Sequence, residues 1–372
     1  MIIKIKHSAA QASAAGKRLI IGEDGKMRLV PVRSASLPNH ERAPLQIRTE
    51  QSEAMTAVPP EQITQTRVVK KVSRNTPPNI PFLDFIGIAG RGGMATVWRA
   101  WHKEFQRDVA VKVLDSSFAA NGKDIRQFMI EVRTMSNLHH QGIVQGYGAD
   151  YADGSYYCIM DYVDGYTFGS LLNRKKHIAE ADALVICESV ADAMKYAWEN
   201  FGIVHCDIKP ENIMADRDGT VKITDLGLCQ SQAAMKRNLS QVDEVIGTPA
   251  YISPEQIFGD VELDCRADIY SLGATLYHLT TGRMLFPLTN NDDILRAHVD
   301  EEQSAPDPRL FKPDLSQNFV NLMACMLVKD RGYRYQSWDE VFTDARIVEE
   351  GGEVIPPPLE VGFASSMRFN GT

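Results

Sequence analysis

The run His205-Cys206-Asp207-Ile208-Lys209-Pro210-Glu211-Asn212 and the turn Asp225-Leu226-Gly227 place two acids, a lysine and an amide in two short polar segments. Apolar residues fence both: Gly202-Ile203-Val204 before the first, Ile213-Met214 after it, and Val221-Lys222-Ile223 before the second. The chemistry that needs these residue types is phosphoryl transfer. It calls for a carboxylate to orient a hydroxyl, oxygen ligands for magnesium, and cations to spread the charge of the group in transit. On this reading Asp207 orients or accepts the hydroxyl proton, Lys209 steadies the γ-phosphate, and Asn212 and Asp225 ligate Mg²⁺. The alternative is two exposed loops of ordinary polar residues. Four matching positions with strand signals between them weigh against it.

Upstream, Gly90-Arg91-Gly92-Gly93-Met94-Ala95-Thr96-Val97 joins two strand candidates. Glycines let a hairpin approach a polyphosphate and offer it backbone N–H groups, although glycine-rich hairpins also occur without a ligand. A strand follows, where a dinucleotide-binding fingerprint would need a helix. Lys112 is the one charge in Val109-Ala110-Val111-Lys112-Val113-Leu114. It is either an edge-strand lysine facing water or a cation reaching across a cleft to the α- and β-phosphates. In the second case Glu131, set among the apolar positions of a helical segment, is its acid. Downstream, Gly247-Thr248-Pro249-Ala250-Tyr251-Ile252-Ser253-Pro254-Glu255 anchors a substrate loop if Glu255 pairs with a distant arginine, for which Arg334 is the candidate. Pro254-Glu255 also fits a plain helix start. Asp268 enters an apolar helix, and a buried acid needs donors, which the backbone around Asp207 can supply.

The elements that must position these residues follow from periodicity. Strand-like runs cover 82–88, 95–101, 108–114, 143–151 and 156–162. Residues 124–138 repeat apolar positions at helical spacing, with Ile125, Phe128, Met129, Val132, Met135 and Leu138 on one face. Past Gly165 the pattern turns helical at 179–201, 261–279, 294–299, 316–327 and 338–348. The expectation is an α+β protein with a small β-rich part followed by a larger helical one, joined near 161–165. Residues 17–32 carry a hairpin signal around Glu23-Asp24-Gly25-Lys26. The remainder of an N-terminal arm, 1–79, has linker composition from Ser34 and is expected to be disordered. Residues 349–372 read as a tail, leaving 80–348 as the folded domain.

The net charge of −8 is unevenly spread. Residues 1–79 carry 13 Lys/Arg against 6 Asp/Glu, and the rest 27 against 42. An acidic body argues against nucleic acid as a partner. The six cysteines show no metal-like spacing, which suggests a reducing compartment. No apolar run approaches the length of a membrane span, and the N-terminus lacks the apolar core of a signal peptide. A cytoplasmic location is expected.

Together these segments resemble the eukaryotic-like (Hanks-type) serine/threonine protein kinases, particularly the bacterial branch, over about 82–347. The resemblance implies a bilobal fold with ATP in the cleft, Mg²⁺ as the metal (Mn²⁺ being an alternative), and Ser/Thr hydroxyls of proteins, its own included, as acceptors. Gly90, Gly92, Gly93 and Val97 of the loop strands, with Ala110 and Lys112, would then contact the nucleotide. Met160 resembles the gatekeeper and Asp161-Tyr162-Val163 the hinge that meets adenine. Thr248 resembles the threonine that contacts the catalytic Asp and Lys. Three positions depart from the pattern. Ala95 replaces the third loop glycine, Leu226 replaces a phenylalanine, and Cys206 stands where most members have arginine. That arginine receives a phosphate from the activation loop, so activity here is expected not to depend on loop phosphorylation. Cys206 is read as a small buried side chain in preference to a redox sensor. The rival readings are a pseudokinase or scaffold, against which the full set Lys112, Glu131, Asp207, Asn212 and Asp225 speaks, and a small-molecule phosphotransferase, against which the segment 247–255 speaks.

Overall fold

In a computed structural model of the chain, the described residues are 75–115, 118, 122–226, 230–231, 248–259, 263–357 and 366–367, with backbone alone at 17–21 and 27–31. The expectations for residues 34–74, Gly227 and Gly247 lie outside them. Strands β1 (Lys17–Ile21) and β2 (Met27–Pro31) pair antiparallel with Leu19 opposite Leu29. The rest divides into two compact units, one within 36–164 plus Asp225 and Leu226, the other comprising Gly165–Thr224 and the described residues from Gln230 onward.

The first unit is a five-stranded antiparallel sheet with one helix. Strands β3 (Leu83–Arg91), β4 (Ala95–His102) and β5 (Arg107–Leu114) precede helix α1 (Gly122–Asn137), and β6 (Gly146–Ala152) and β7 (Ser155–Asp161) follow it. The sheet order is β3-β4-β5-β7-β6. Side chains alternate between its faces. One face forms a core from Trp98, Ala100, Val109, Val111, Val113, Tyr157 and Ile159, closed by Ile80 and Leu83. The opposite face carries Val97 in register with Lys112, Lys112 with Cys158, and Ala110 with Met160. The helix buries Ile125, Phe128, Val132 and Met135 at three- and four-residue spacing. It lies so close to β6 that a Cβ on Gly146 would come within 2.9 Å of Met135 Cβ.

The second unit is mostly helical. It runs through β8 (Gly165–Thr167), α2 (Phe168–Lys175), α3 (Glu180–Phe201), β9 (Ile203–Val204), β10 (Ile213–Asp216), β11 (Val221–Ile223) and β12 (Gln230–Ser231). It continues with α4 (Pro254–Ile257), α5 (Cys265–Thr281), α6 (Asn291–Val299), α7 (Gln317–Met326) and α8 (Trp338–Glu349). The caps set the boundaries. Gly202 ends α3 in the left-handed conformation at φ 61°, and Ser316 and Ser337 cap α7 and α8. Helix α5 starts at Cys265, four residues later than its apolar pattern suggests, because Asp264 accepts the Arg266 N–H as N-cap. Helices α5 and α7 pack almost backbone to backbone: a Cβ on Gly273 would sit 2.8 Å from Met326 Cβ.

Two further features differ from the sequence expectation. Helix α2 had no periodic signal strong enough to separate it from the turn at Gly165. The stretch read as a tail is partly docked: Val354, Ser366 and Met367 are buried, Asn321 Nδ2 donates to Val354 O (2.8 Å), and the Ser366 N–H donates to Leu327 O (2.9 Å).

Candidate active site

In the helical unit, β9 delivers the chain to His205, and the backbone is then held by side chains from α4 and α5. Asp268, in the first turn of α5 and fully buried, accepts the N–H of His205 (2.6 Å) and of Cys206 (2.8 Å). Burial pushes its carboxyl up to about 6, and the His205 side chain and the two amides oppose that shift. Cys206 takes φ 66°, a left-handed conformation that disfavours any residue with a Cβ. Its thiol is buried, 2% of the residue being exposed. Thr275 of α5 donates to Ile208 O (3.2 Å).

This scaffold presents a closed polar cluster. Thr248 Oγ1 donates to Asp207 Oδ1 (2.6 Å) and accepts from Lys209 Nζ (2.7 Å), which also pairs with Asp207 Oδ2 (2.7 Å). Pro210 opens a 3₁₀ turn, Pro210–Asn212, that swings Asn212 back. Its Nδ2 then donates to Asp207 O (2.9 Å) and Oδ2 (3.0 Å). With the nitrogen so committed, the amide's other atom is an oxygen suited to a hard cation. Glu255 meets Arg334 in a buried two-pronged pair, at 2.6 Å and 3.2 Å.

In the β-rich unit, Lys112 Nζ lies 2.6 Å from Glu131 Oε1 and 2.8 Å from Asp225 Oδ1. Burial opposes its charge, but the two carboxylates more than offset this and hold the ammonium above the usual lysine range. The strand period puts Lys112 on the face away from the apolar core, and α1 brings Glu131 to it. Asp225 also has a left-handed backbone, φ 58°, with Leu226 buried behind it and its own side chain about half exposed. A carboxylate so placed fits a magnesium ligand, the hard oxygen donor that such a cation takes. A Cβ built on Gly90 or Gly93 would meet nothing within 4 Å, so these glycines do not serve protein packing. They leave open backbone that a phosphate group can reach.

Residues 161–163 are tied to the sheet. The Asp161 N–H donates to Gln145 O (2.9 Å), its carboxylate accepts from Tyr147 Oη, and Arg99 stacks over Tyr162 at 4.7 Å. Met160 and Val163 flank it, Val163 being buried. Trp98 and Trp338 are core residues, whereas Trp101 is more than a third exposed. Among the described residues no cluster of His, Cys, Asp and Glu could by itself hold a metal ion, and no helix is long and apolar enough to cross a membrane.

Sequence reasoning passed over two residues. Gln256 of α4 donates through Nε2 to Cys206 O (3.0 Å), and Thr275 holds the next part of the same loop. The spacing Ser253-Pro254-Glu255-Gln256 carried a usable signal, since a serine followed three residues later by glutamine marks a capping box.

Comparison with known proteins places these elements. Residues 83–344 match the family described as "Protein kinase domain". The chain is 36% identical over 271 residues to a probable serine/threonine-protein kinase of Streptomyces coelicolor, covering 72% of this chain and 40% of that protein. It is 33% identical over 259 residues to serine/threonine-protein kinase PrkC of Bacillus subtilis, covering 70% and 39%. It is 35% identical over 274 residues to serine/threonine-protein kinase PknA of Mycobacterium tuberculosis, covering 72% and 61%. The chain thus spans about two fifths of the length of the first two relatives.

Proposed function

We propose that this chain, which belongs to the protein kinase domain family, transfers the γ-phosphate of ATP to serine and threonine hydroxyls of proteins and does not need a phosphate on the segment between Asp225 and Glu255 to do so. The cluster of Asp207, Lys209 and Thr248 is the observation that carries this reading. It ties the loop that would act on the hydroxyl to the segment that would receive the protein substrate, with every member hydrogen-bonded. Asp207 orients the hydroxyl and takes its proton, and Lys209 offers its remaining N–H groups to the transferred group. Lys112, fixed by Glu131, would offer its ammonium to the α- and β-phosphates, and the open backbone of 90–93 would offer them N–H groups. Val97, Ala110 and Met160 on one sheet face, with the backbone of 161–163, receive the adenine. Asn212 and Asp225 supply oxygen ligands for Mg²⁺, with Mn²⁺ as an alternative; such an ion neutralises charge on the phosphates when bound.

Cys206 supports the second half of the proposal. An uncharged, buried thiol cannot capture a phosphate as an arginine does. Glu211, beside Gly169 at the start of α2, favours acceptors with basic residues near the phosphorylated site. The chain itself is a further acceptor. The acidic charge of residues 80–372 disfavours nucleic acid as a partner, and the cysteines, which form no disulfide among the described residues, suit a cytoplasmic setting.

The test is transfer of label from [γ-³²P]ATP with Mg²⁺ to histone and to the chain, beside Lys112→Met. Removing the ammonium from beside the Glu131 and Asp225 carboxylates should lower kcat/KM by about 10²-fold or more, the order expected when a preorganised charge on the reacting groups is lost. Equal labelling by both proteins would overturn the assignment of Lys112. Treating the protein with a Ser/Thr phosphatase before assay should leave kcat within about twofold, less than 0.5 kcal/mol of barrier. A collapse in rate after that treatment would refute independence from phosphorylation.

A further inference from the structure

Cys206 has both of its backbone polar groups held by buried side chains of the segment that follows the substrate loop. At its start, the strained left-handed backbone of Cys206 gives its N–H to Asp268 (2.8 Å). At its end, the Cys206 carbonyl accepts from Gln256 Nε2 (3.0 Å). Only 5% of Gln256 is exposed, and both ends of its amide are engaged. Oε1 accepts the Ser253 N–H (3.2 Å) and the Ser253 hydroxyl (2.9 Å), closing the capping box of α4. Acceptor and donor therefore cannot exchange places: if the amide flipped, its NH₂ would face an N–H and its oxygen a carbonyl.

We propose that Gln256 is a positioning residue for Asp207, holding the left-handed Cys206 peptide through its carbonyl and so coupling the folded end of the substrate segment to the orientation of the carboxylate. A non-glycine residue in this conformation costs roughly 1–2 kcal/mol and persists where its surroundings over-determine it. Asp268 alone fixes one end. The Gln256 contact fixes the other, and it comes from the same short helix whose Glu255 is locked to Arg334. The device supplies from the backbone what the absence of arginine at 206 removes from the side chain: an ordered substrate segment is felt at Asp207 without a phosphate. This inference rests on the phosphoryl-transfer reading above.

Gln256→Glu tests it. The substituted side chain keeps the acceptor for Ser253, so the cap of α4 survives, but it sets an oxygen against the Cys206 carbonyl. In this chain with histone as acceptor, kcat should fall about tenfold, the equivalent of one net hydrogen bond, with KM for ATP nearly unchanged. Part of the loss should be recovered as pH falls and the new carboxyl gains a proton to donate, a recovery the parent protein lacks. Amide hydrogen exchange over 204–208 should quicken at the same time. A second variant, Gln256→Met, should lose a comparable factor, and a smaller one in a Cys206→Gly background, where the left-handed backbone carries no penalty. Unchanged kcat and unchanged exchange in Gln256→Glu, or equal losses for Gln256→Met in both backgrounds, would overturn the role. If the parent protein labels neither histone nor itself, the phosphoryl-transfer reading fails, while the exchange measurement still decides whether Gln256 holds the peptide.

Discussion

Asp207→Asn is expected to lower kcat by about 10²- to 10⁴-fold, the span that a positioned general base contributes. The substitution preserves volume but replaces an acceptor with an NH₂ group. That group must face either the Thr248 hydroxyl or the Lys209 ammonium, which sit 2.6 Å and 2.7 Å from the two carboxylate oxygens. The loss is expected in kcat, because no nucleotide contact is asked of Asp207, and KM for ATP should change little. Steady-state kinetics beside a thermal melt separates chemistry from folding. A variant that melts like the parent protein and keeps its kcat within a factor of ten would remove Asp207 from the reaction.

The largest loss of stability is expected elsewhere in the helical unit, from Arg334→Ala. None of the Arg334 side chain is exposed, and its donors meet the Glu255 carboxylate and the carbonyls of Val328 (2.9 Å), Arg266 (2.5 Å) and Lys329 (3.1 Å). Its guanidinium also lies over the Tyr270 ring at 5.0 Å. Truncation leaves Glu255 buried without its counter-charge and strands the carbonyls, a loss of about 3–5 kcal/mol. For a domain of this size that lowers Tm by about 10 °C. Arg334→Lys should recover little, since an ammonium is a point charge and cannot fork. Removing both charges in Glu255→Met with Arg334→Met should cost less than the two single changes added together. A Tm shift of only a degree or two for Arg334→Ala would show that the pair is dispensable.

Much of this was legible in the chain because the signals were local. Lys112 stood out as one charge among β-formers, and the two-residue alternation of β5 fixed which face it takes. The helical repeat of Ile125, Phe128, Val132 and Met135 placed Glu131 on a helix. The polar run from His205 to Asn212 stood out through its residue types. What escaped depends on contacts remote in sequence or on irregular backbone. Gln256 reaches Cys206 across 50 positions, and nothing in either residue's neighbourhood announces the bond. The left-handed φ of Cys206 is equally silent, since cysteine carries no turn preference of the kind glycine or asparagine does. The docked residues near the C-terminus were misjudged for a different reason. Glycine and proline suggest loose chain, and a segment that buries single side chains without a helix or strand leaves no period to detect.

That docked stretch bears on what counts as the unit of folding. The family match ends at residue 344, within α8. The hydrogen bonding does not end there. Tyr270 Oη shares a buried network with His298 Nδ1 (2.7 Å) and Ser366 Oγ (2.5 Å), and the Ala305 N–H donates to Ser366 O (2.8 Å). Similarity among relatives and self-sufficiency of the polypeptide are therefore different boundaries in this molecule. Cutting where the resemblance stops would uncover the tyrosine hydroxyl and a histidine that burial pushes down to about 3. Solvent would then reach the N-terminal part of α5 at Tyr270, two residues beyond the Asp268 that holds the backbone leading into Asp207.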